Sequence, residues 1–280
     1  LLAREGDAPW SVAQVQARLA GAALPVQPAV FGLPDAWAVL GSFIAGPAVA
    51  WVAIVGAALL LPLGPAGALL SFRGDALLVI YLLALARFGT AWAAMETGSA
   101  FEGMGTAREV SYAVLAEAAI ITAMLTLSVH AQSITLVEML TPASGVGAVL
   151  LGAGLFTVLL VENCRVPFDD PNTHLELTMI HEAMILDHSG PPLAAILHGA
   201  SVKLLLFAVL LTESVVPLGH FSGPVACAVL ALGVLTVTVG VGLVESLLAR
   251  LAFRRVPLLL TTAILLCLFA LLVAWKGGAA

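Results

Sequence analysis

Seven apolar runs of membrane-spanning length dominate this chain, at roughly 36–61, 76–95, 110–130, 145–161, 193–216, 224–248 and 256–275. Inside a bilayer no water satisfies the backbone, so a spanning segment is a helix or a strand of a closed barrel. About 20 apolar residues cross the hydrocarbon as a helix, and the period-2 alternation of barrel strands is missing. The expected fold is therefore all-α: a polytopic transmembrane helical bundle of about seven spans, forming one integral membrane domain over residues 1–280. Pro62 and Pro65 close the first run, and Gly190, Pro191 and Pro192 open the fifth. The fourth run is short and is expected to extend at one end. Trp275 and Lys276 make an interfacial anchor after the last. Residues 1–35 are mixed; Val12, Val15, Leu19 and Ala22 recur at helical spacing, which fits an interfacial helix or a frayed terminus.

Only 10% of residues are charged and 61% are hydrophobic, with a mean hydropathy of +1.09. A chain this apolar spends its charges where they are needed. Residues 162–191 hold six acids, three histidines and one arginine between two apolar runs. This polar loop is where function is to be sought. With the N-terminus in the cytoplasm, the inner loops carry Arg4, Arg18, Arg108, Arg165, Arg250, Arg254 and Arg255, and the outer side only Arg73 and Lys276. The positive-inside rule then puts the N-terminus and loop 162–191 on the cytoplasmic side of the membrane.

Within the loop, Thr173 and Glu176 fit a capping box; alternatively Asp170 caps with Pro171 at the first helical position. Either start predicts a helix over about 172–188. His174, His181 and His188 stand seven residues apart, on nearly one face but about 10 Å from one to the next, too far to share a metal ion. They read as surface or partner contacts in preference to proton relays. His181-Glu182 begins an H-E-x-x-H pattern, but Ile185 stands where the second histidine belongs, which excludes a zinc protease. Cys164, Cys227 and Cys267 form no C-x-x-C pair, so no cluster or zinc site is expected from this chain alone. No glycine-rich nucleotide motif is visible, and the net charge of −6 argues against a nucleic-acid partner.

Glu117, Glu213 and Glu245 lie in or near the ends of spans, as do Arg87 and Lys203. A charge at the bilayer centre costs about 2.5–3.5 kcal/mol on insertion scales. The carboxylates read either as a proton or ion path or as structural partners of a cation such as Arg87. His198 fits a plain interhelical hydrogen bond. Gly41, Gly46, Gly152 and Gly154 are read as close-approach positions between helices.

Two blocks carry a family resemblance. One runs from Gly98 through Glu102 and Arg108 to Glu109, followed by Glu117; the other runs from Glu162, Arg165, Pro167, Phe168 and Asp169 to Asp187-His188-Ser189-Gly190-Pro191. Both resemble the subunit 1 family of respiratory complex I, the NADH-quinone oxidoreductase. The stretch Thr173–Pro191, together with Val244-Glu245-Ser246 and Arg254-Arg255-Val256-Pro257, is more similar to the formate hydrogenlyase subunit 4 branch of membrane-bound group 4 [NiFe] hydrogenases. The family begins with a further helix and a basic R-x-G-P loop, so eight spans are expected in the intact protein. The resemblance implies a membrane foot for a soluble redox arm, without a redox centre of its own. Hydrogenase large and small subunits and an iron–sulfur protein would carry the [NiFe] and iron–sulfur cofactors, and antiporter-like subunits would lie alongside in a prokaryotic inner membrane. It implies a proton path of Glu117, Glu162, Glu176, Glu213 and Glu245, to which the loop adds Glu182. The expected contacts to the redox arm are Arg108, Arg165, Asp169, Asp170, His174, His181, Asp187 and His188. Competing readings are a quinone-binding subunit of a complex I-type enzyme and a free-standing ion transporter. The transporter reading lacks the internal repeat such folds commonly show.

Overall fold

The computed structural model describes residues 36–142, 145–169 and 179–278. Its elements are helical: α1 (Ala36–Leu60), α2 (Asp75–Glu96), α3 (Ala100–Ala131), α4 (Leu136–Met139), α5 (Gly145–Glu162), α6 (His181–Ile185), α7 (Gly190–Val215), α8 (Gly223–Leu247) and α9 (Val256–Gly278). Six of these are long and apolar enough to cross a membrane, and α1 contributes a shorter apolar stretch, Ile44–Leu60. Together they make an all-α multi-pass membrane bundle. The long helices alternate in direction. One end of the bundle therefore gathers the loop 162–189 with the ends of α2, α5 and α8 and the starts of α3, α7 and α9. The opposite end gathers the start of α2 and the ends of α3, α7 and α9.

Small residues set the tightest contacts. A Cβ on Gly46 of α1 would lie 2.8 Å from the Ala93 backbone of α2, and one on Gly89 would meet Ala50 at 2.8 Å. Interhelical approach this close needs glycine, because lipid supplies little hydrophobic drive and van der Waals fit must serve. Gly154 is pressed against Cys267 and Gly152 faces Val215, as their spacing led one to expect; the side chain region around position 41 lies outside the described residues. The main core joins Val79 and Leu83 of α2, Ala123 and Leu127 of α3, Leu155 and Leu159 of α5, Leu206 and Leu210 of α7, and Cys267 of α9. Helix α8 stands apart, with 6% of its spanning window buried against 50% for α5.

Two expectations need correction. The apolar run at 110–130 predicts the third span, but α3 begins at Ala100. Its first turns carry Glu102, Arg108 and Glu109, which lower local hydropathy, yet all three find partners in the bundle. The loop helix expected over 172–188 is not continuous: residues 179–180 are non-helical and α6 covers only His181–Ile185. The cause is Asp169, whose Oδ2 accepts the N–H groups of Ile180 and His181 at 2.9 and 3.0 Å. A carboxylate taking the first free amides defines a helix start, so the cap comes from across the loop. The Thr173 and Asp170 caps fall outside the described residues.

Candidate functional site

The Glu162–Asp169 segment folds back into the bundle because its backbone is committed there. Arg165 donates its N–H to Leu160 at 2.8 Å, and the Leu251 N–H reaches the Pro167 carbonyl at 2.9 Å. Phe168, 1% exposed, stands edge-on to Tyr112 at 5.8 Å. Glu162 is thereby held facing the interior at the end of α5.

There it meets Arg87, just past the middle of α2. The guanidinium, 10% exposed, pairs with Glu109 at 3.3 Å, with Glu117 at 3.3 Å, and with Glu162. Its five donors in a rigid fork suit several carboxylates at once. Lys203 of α7 lies 3.9 Å from the other Glu162 oxygen. Four helices thus contribute three carboxylates and two cations to one cluster, buried at Glu162 and open at Glu117, whose side chain is 42% exposed.

A second tier closes the loop end. Arg165 pairs with Glu245 of α8 at 3.3 Å, and Arg250 with Asp169 at 3.5 Å. Arg108 and Arg250 both lie over the Phe253 ring, at 4.8 and 4.7 Å, within cation–π range. Arg108 also donates to the Met179 carbonyl at 2.8 Å. Between the tiers lies a cavity of about 300 Å³, lined by Glu162, Arg165, His181, Glu182, Ser201 and Lys203 among others. Burial, with Lys203 and Arg165 adding, pushes the His181 imidazole down to about 4, so it is neutral near pH 7. Burial and Asp169 push the Glu182 carboxyl up. Burial also raises the Cys164 thiol well above its usual range, which keeps it protonated and inert.

The NADH dehydrogenase family matches residues 36–276. This chain belongs to that family, of the complex I subunit 1-like kind. It is 32% identical over 192 residues to Hydrogenase-4 component C of Escherichia coli (strain K12), covering 63% of this chain and 59% of that protein. It is 28% identical over 209 residues to formate hydrogenlyase subunit 4 of the same organism, covering 70% and 67%. Its fold is similar to a chain of the membrane-bound sulfane sulfur reductase, an archaeal respiratory membrane complex, with a TM-score of 0.70 at 18% identity over 89% of this chain and 86% of that one.

In this NADH dehydrogenase-family bundle, Glu117 and Glu162 share Arg87, whereas Glu245 pairs with Arg165, which lines the same cavity as Glu162. Glu182 faces the cavity. Glu213 stands apart, near the opposite end of α7, where it accepts the Gly64 N–H at 2.6 Å. Glu176, Asp170 and His174 lie outside the described residues. Arg108, Arg165, Asp169 and His181 all belong to the loop-end tier, with Asp169 only 1% exposed, and Asp187 is exposed. His188, read as a surface contact, is buried instead, its Nδ1 3.3 Å from Glu102. Its ring turns inward because the helix that would have presented it ends at Ile185. His198 accepts a hydrogen bond from Trp51 Nε1 at 2.8 Å, the interhelical bond its position implied. Sequence reasoning left Glu109 and Glu102 without a role. The signal was present: Glu102, Glu109 and Glu117 fall at i, i+7 and i+15 on α3, one face of a helix.

Proposed function

We propose that this chain is the membrane-anchoring and proton-coupling subunit of a membrane-bound [NiFe] hydrogenase or formate hydrogenlyase-type complex. The loop 162–191 faces the cytoplasm of a prokaryotic cell and seats the soluble arm. That arm holds the [NiFe] and iron–sulfur centres, and the Arg87 cluster links it to ion-translocating antiporter-like subunits in the same inner membrane. The observation that carries this reading is the placement of charge from the loop-end cavity, lined by Arg165 and Glu162, through Arg87 to Glu117 within the spans. Charge in such a position is expensive, and with three carboxylates sharing two cations a proton added to the cluster neutralises charge instead of adding it. The similar proteins support the hydrogenase assignment, and the exposed Asp187 with the partly exposed Arg165–Glu245 pair suits a polar protein surface.

The test uses the native complex in inverted vesicles. Glu162→Gln keeps shape but cannot ionise; the complex should assemble while acidification per turnover falls severalfold. Glu213→Gln should couple nearly as wild type, because the amide oxygen still accepts the Gly64 N–H. Wild-type coupling in the Glu162 variant would sink the reading. An Asp187→Cys variant labelled only from the outside of intact cells would reverse the orientation. Mass spectrometry of the purified complex should find the hydrogenase subunits; a quinone-reducing arm in their place would select the complex I alternative.

A further inference from the structure

The inward face of α3 carries polar side chains well before it reaches Arg87. Glu102, Thr106, Glu109 and Glu117 recur at i, i+4, i+7 and i+15, and a helix aligns these on one side. Glu102 stands in the first turn and is 0% exposed. Its Oε1 accepts the Asp187 N–H at 2.9 Å and lies 3.3 Å from His188 Nδ1. Among the described residues its Oε2, the His188 Nε2 and the Thr106 hydroxyl are buried without a hydrogen-bond partner. Most buried polar atoms in folded proteins are paired, so a group of three unpaired ones asks for an explanation. A loop fastener would need only one acceptor for the Asp187 amide. Glu96, at the end of α2 and partly exposed, is within electrostatic reach of His188. The charged groups around the imidazole are thus Glu102 from α3, Glu96 from α2 and its own neighbour Asp187.

We propose that Glu96, His188 and Glu102 form a proton-loading port at the loop end, delivering along Thr106 to Glu109 and so into the Arg87 cluster. A proton from solvent is taken up beside Glu96 and passes through bridging water to His188 Nε2, while Nδ1 releases one to Glu102; the ring then resets by exchanging tautomers. Glu102 hands its proton to the Thr106 hydroxyl, which accepts one and donates its own toward Glu109. Axial steps of about 6 Å from 102 to 106 and about 4.5 Å from 106 to 109 lie within the reach of a carboxylate and one bridging water. The port rests on the coupling reading above, because it needs a cluster that uses protons.

Thr106→Val separates this role from a structural one. Replacing an unpaired buried hydroxyl by a methyl is close to neutral for folding, so the variant complex should assemble at wild-type level. Its turnover-coupled acidification in inverted vesicles should nevertheless fall severalfold, with a larger solvent deuterium isotope effect. Glu102→Gln should do the same. If Thr106→Val couples with wild-type rate and isotope effect, the port is wrong, whether or not Glu102→Gln assembles; failure of Glu102→Gln alone would mark the Glu102–His188 pair as a loop fastener. Glu162→Gln, measured alongside, tells the two readings apart. Lost coupling there with a silent Thr106→Val overturns the port alone, and wild-type coupling in both overturns the port together with the coupling role.

Discussion

Glu162 and Glu213 are both glutamates near the C-terminal end of a spanning helix, exposed by 3% and 5% respectively. Their surroundings differ. Glu162 sits between Arg87 and Lys203, within a cluster that also holds Glu109 and Glu117. Glu213 faces one backbone amide, that of Gly64. Its neighbour at the same end, Asp75, is likewise spent on local geometry, accepting the Leu136 N–H at 2.6 Å and the Phe72 N–H at 3.2 Å. Burial alone therefore does not bring a carboxylate into a cluster of charges. What separates the two ends is whether cations reach in from other helices.

Breaking the cationic centre should produce the largest effect. Arg87→Met leaves Glu109 and Glu162 buried beside one another with Lys203 alone to offset them. Loss of one partner from a buried pair typically costs about 3–5 kcal/mol, so the purified subunit should show a large fall in thermal midpoint and in yield. A midpoint near wild type would mean that water already reaches the cluster. Asp75→Asn probes the opposite end, where no cation pairs with this carboxylate among the described residues. One of its oxygens becomes a donor facing N–H or hydroxyl groups, and a hydrogen bond to a charged group is worth about 1.5–3 kcal/mol. The loss should be smaller than for Arg87→Met and should leave acidification per turnover unchanged in complexes that assemble. Uncoupling in this variant would erase the distinction between the ends.

Arg165→Ala sharpens the comparison inside the loop end. Its side chain is 35% exposed and that of its partner Glu245 24%, so solvent screens the pair and the bundle should lose under about 1 kcal/mol. The larger consequence should be release of the soluble arm on native gels. An equal loss for Arg165→Ala and Arg87→Met in the isolated subunit would show that the two tiers are one.

At neutral pH the smallest effect belongs to His181, whose contribution shows only on acidification. His181 in the folded chain titrates at about 4, below the usual value of about 6.5. The unfolded chain therefore binds its proton first as pH falls. The stability His181 contributes is complete above about pH 6.5 and is lost progressively between there and about pH 4. Thermal midpoints of the isolated subunit should decline over that window, and His181→Asn should flatten the decline. An unchanged slope in the variant would assign the acid sensitivity to the carboxylates.

The apolar runs by themselves determined an all-α membrane bundle, because hydrocarbon leaves a backbone no alternative to internal hydrogen bonding. Six of the seven expected spans lie within a few residues of the observed helices, and the loop 162–191 stood out through charge density alone. The third span extends ten residues earlier than its hydropathy indicated, since Glu102 and Glu109 look like loop residues until their partners are known. Only the tertiary structure decided which carboxylates meet. Arg87 is separated from Glu162 by 75 residues and from Glu117 by 30, and nothing local records that two other helices converge on it. Asp169 likewise caps α6 from outside it, through hydrogen bonds 11 and 12 residues away. Hydropathy is a sum over neighbours in sequence, whereas the pairing of a buried charge is a matter of distance in space.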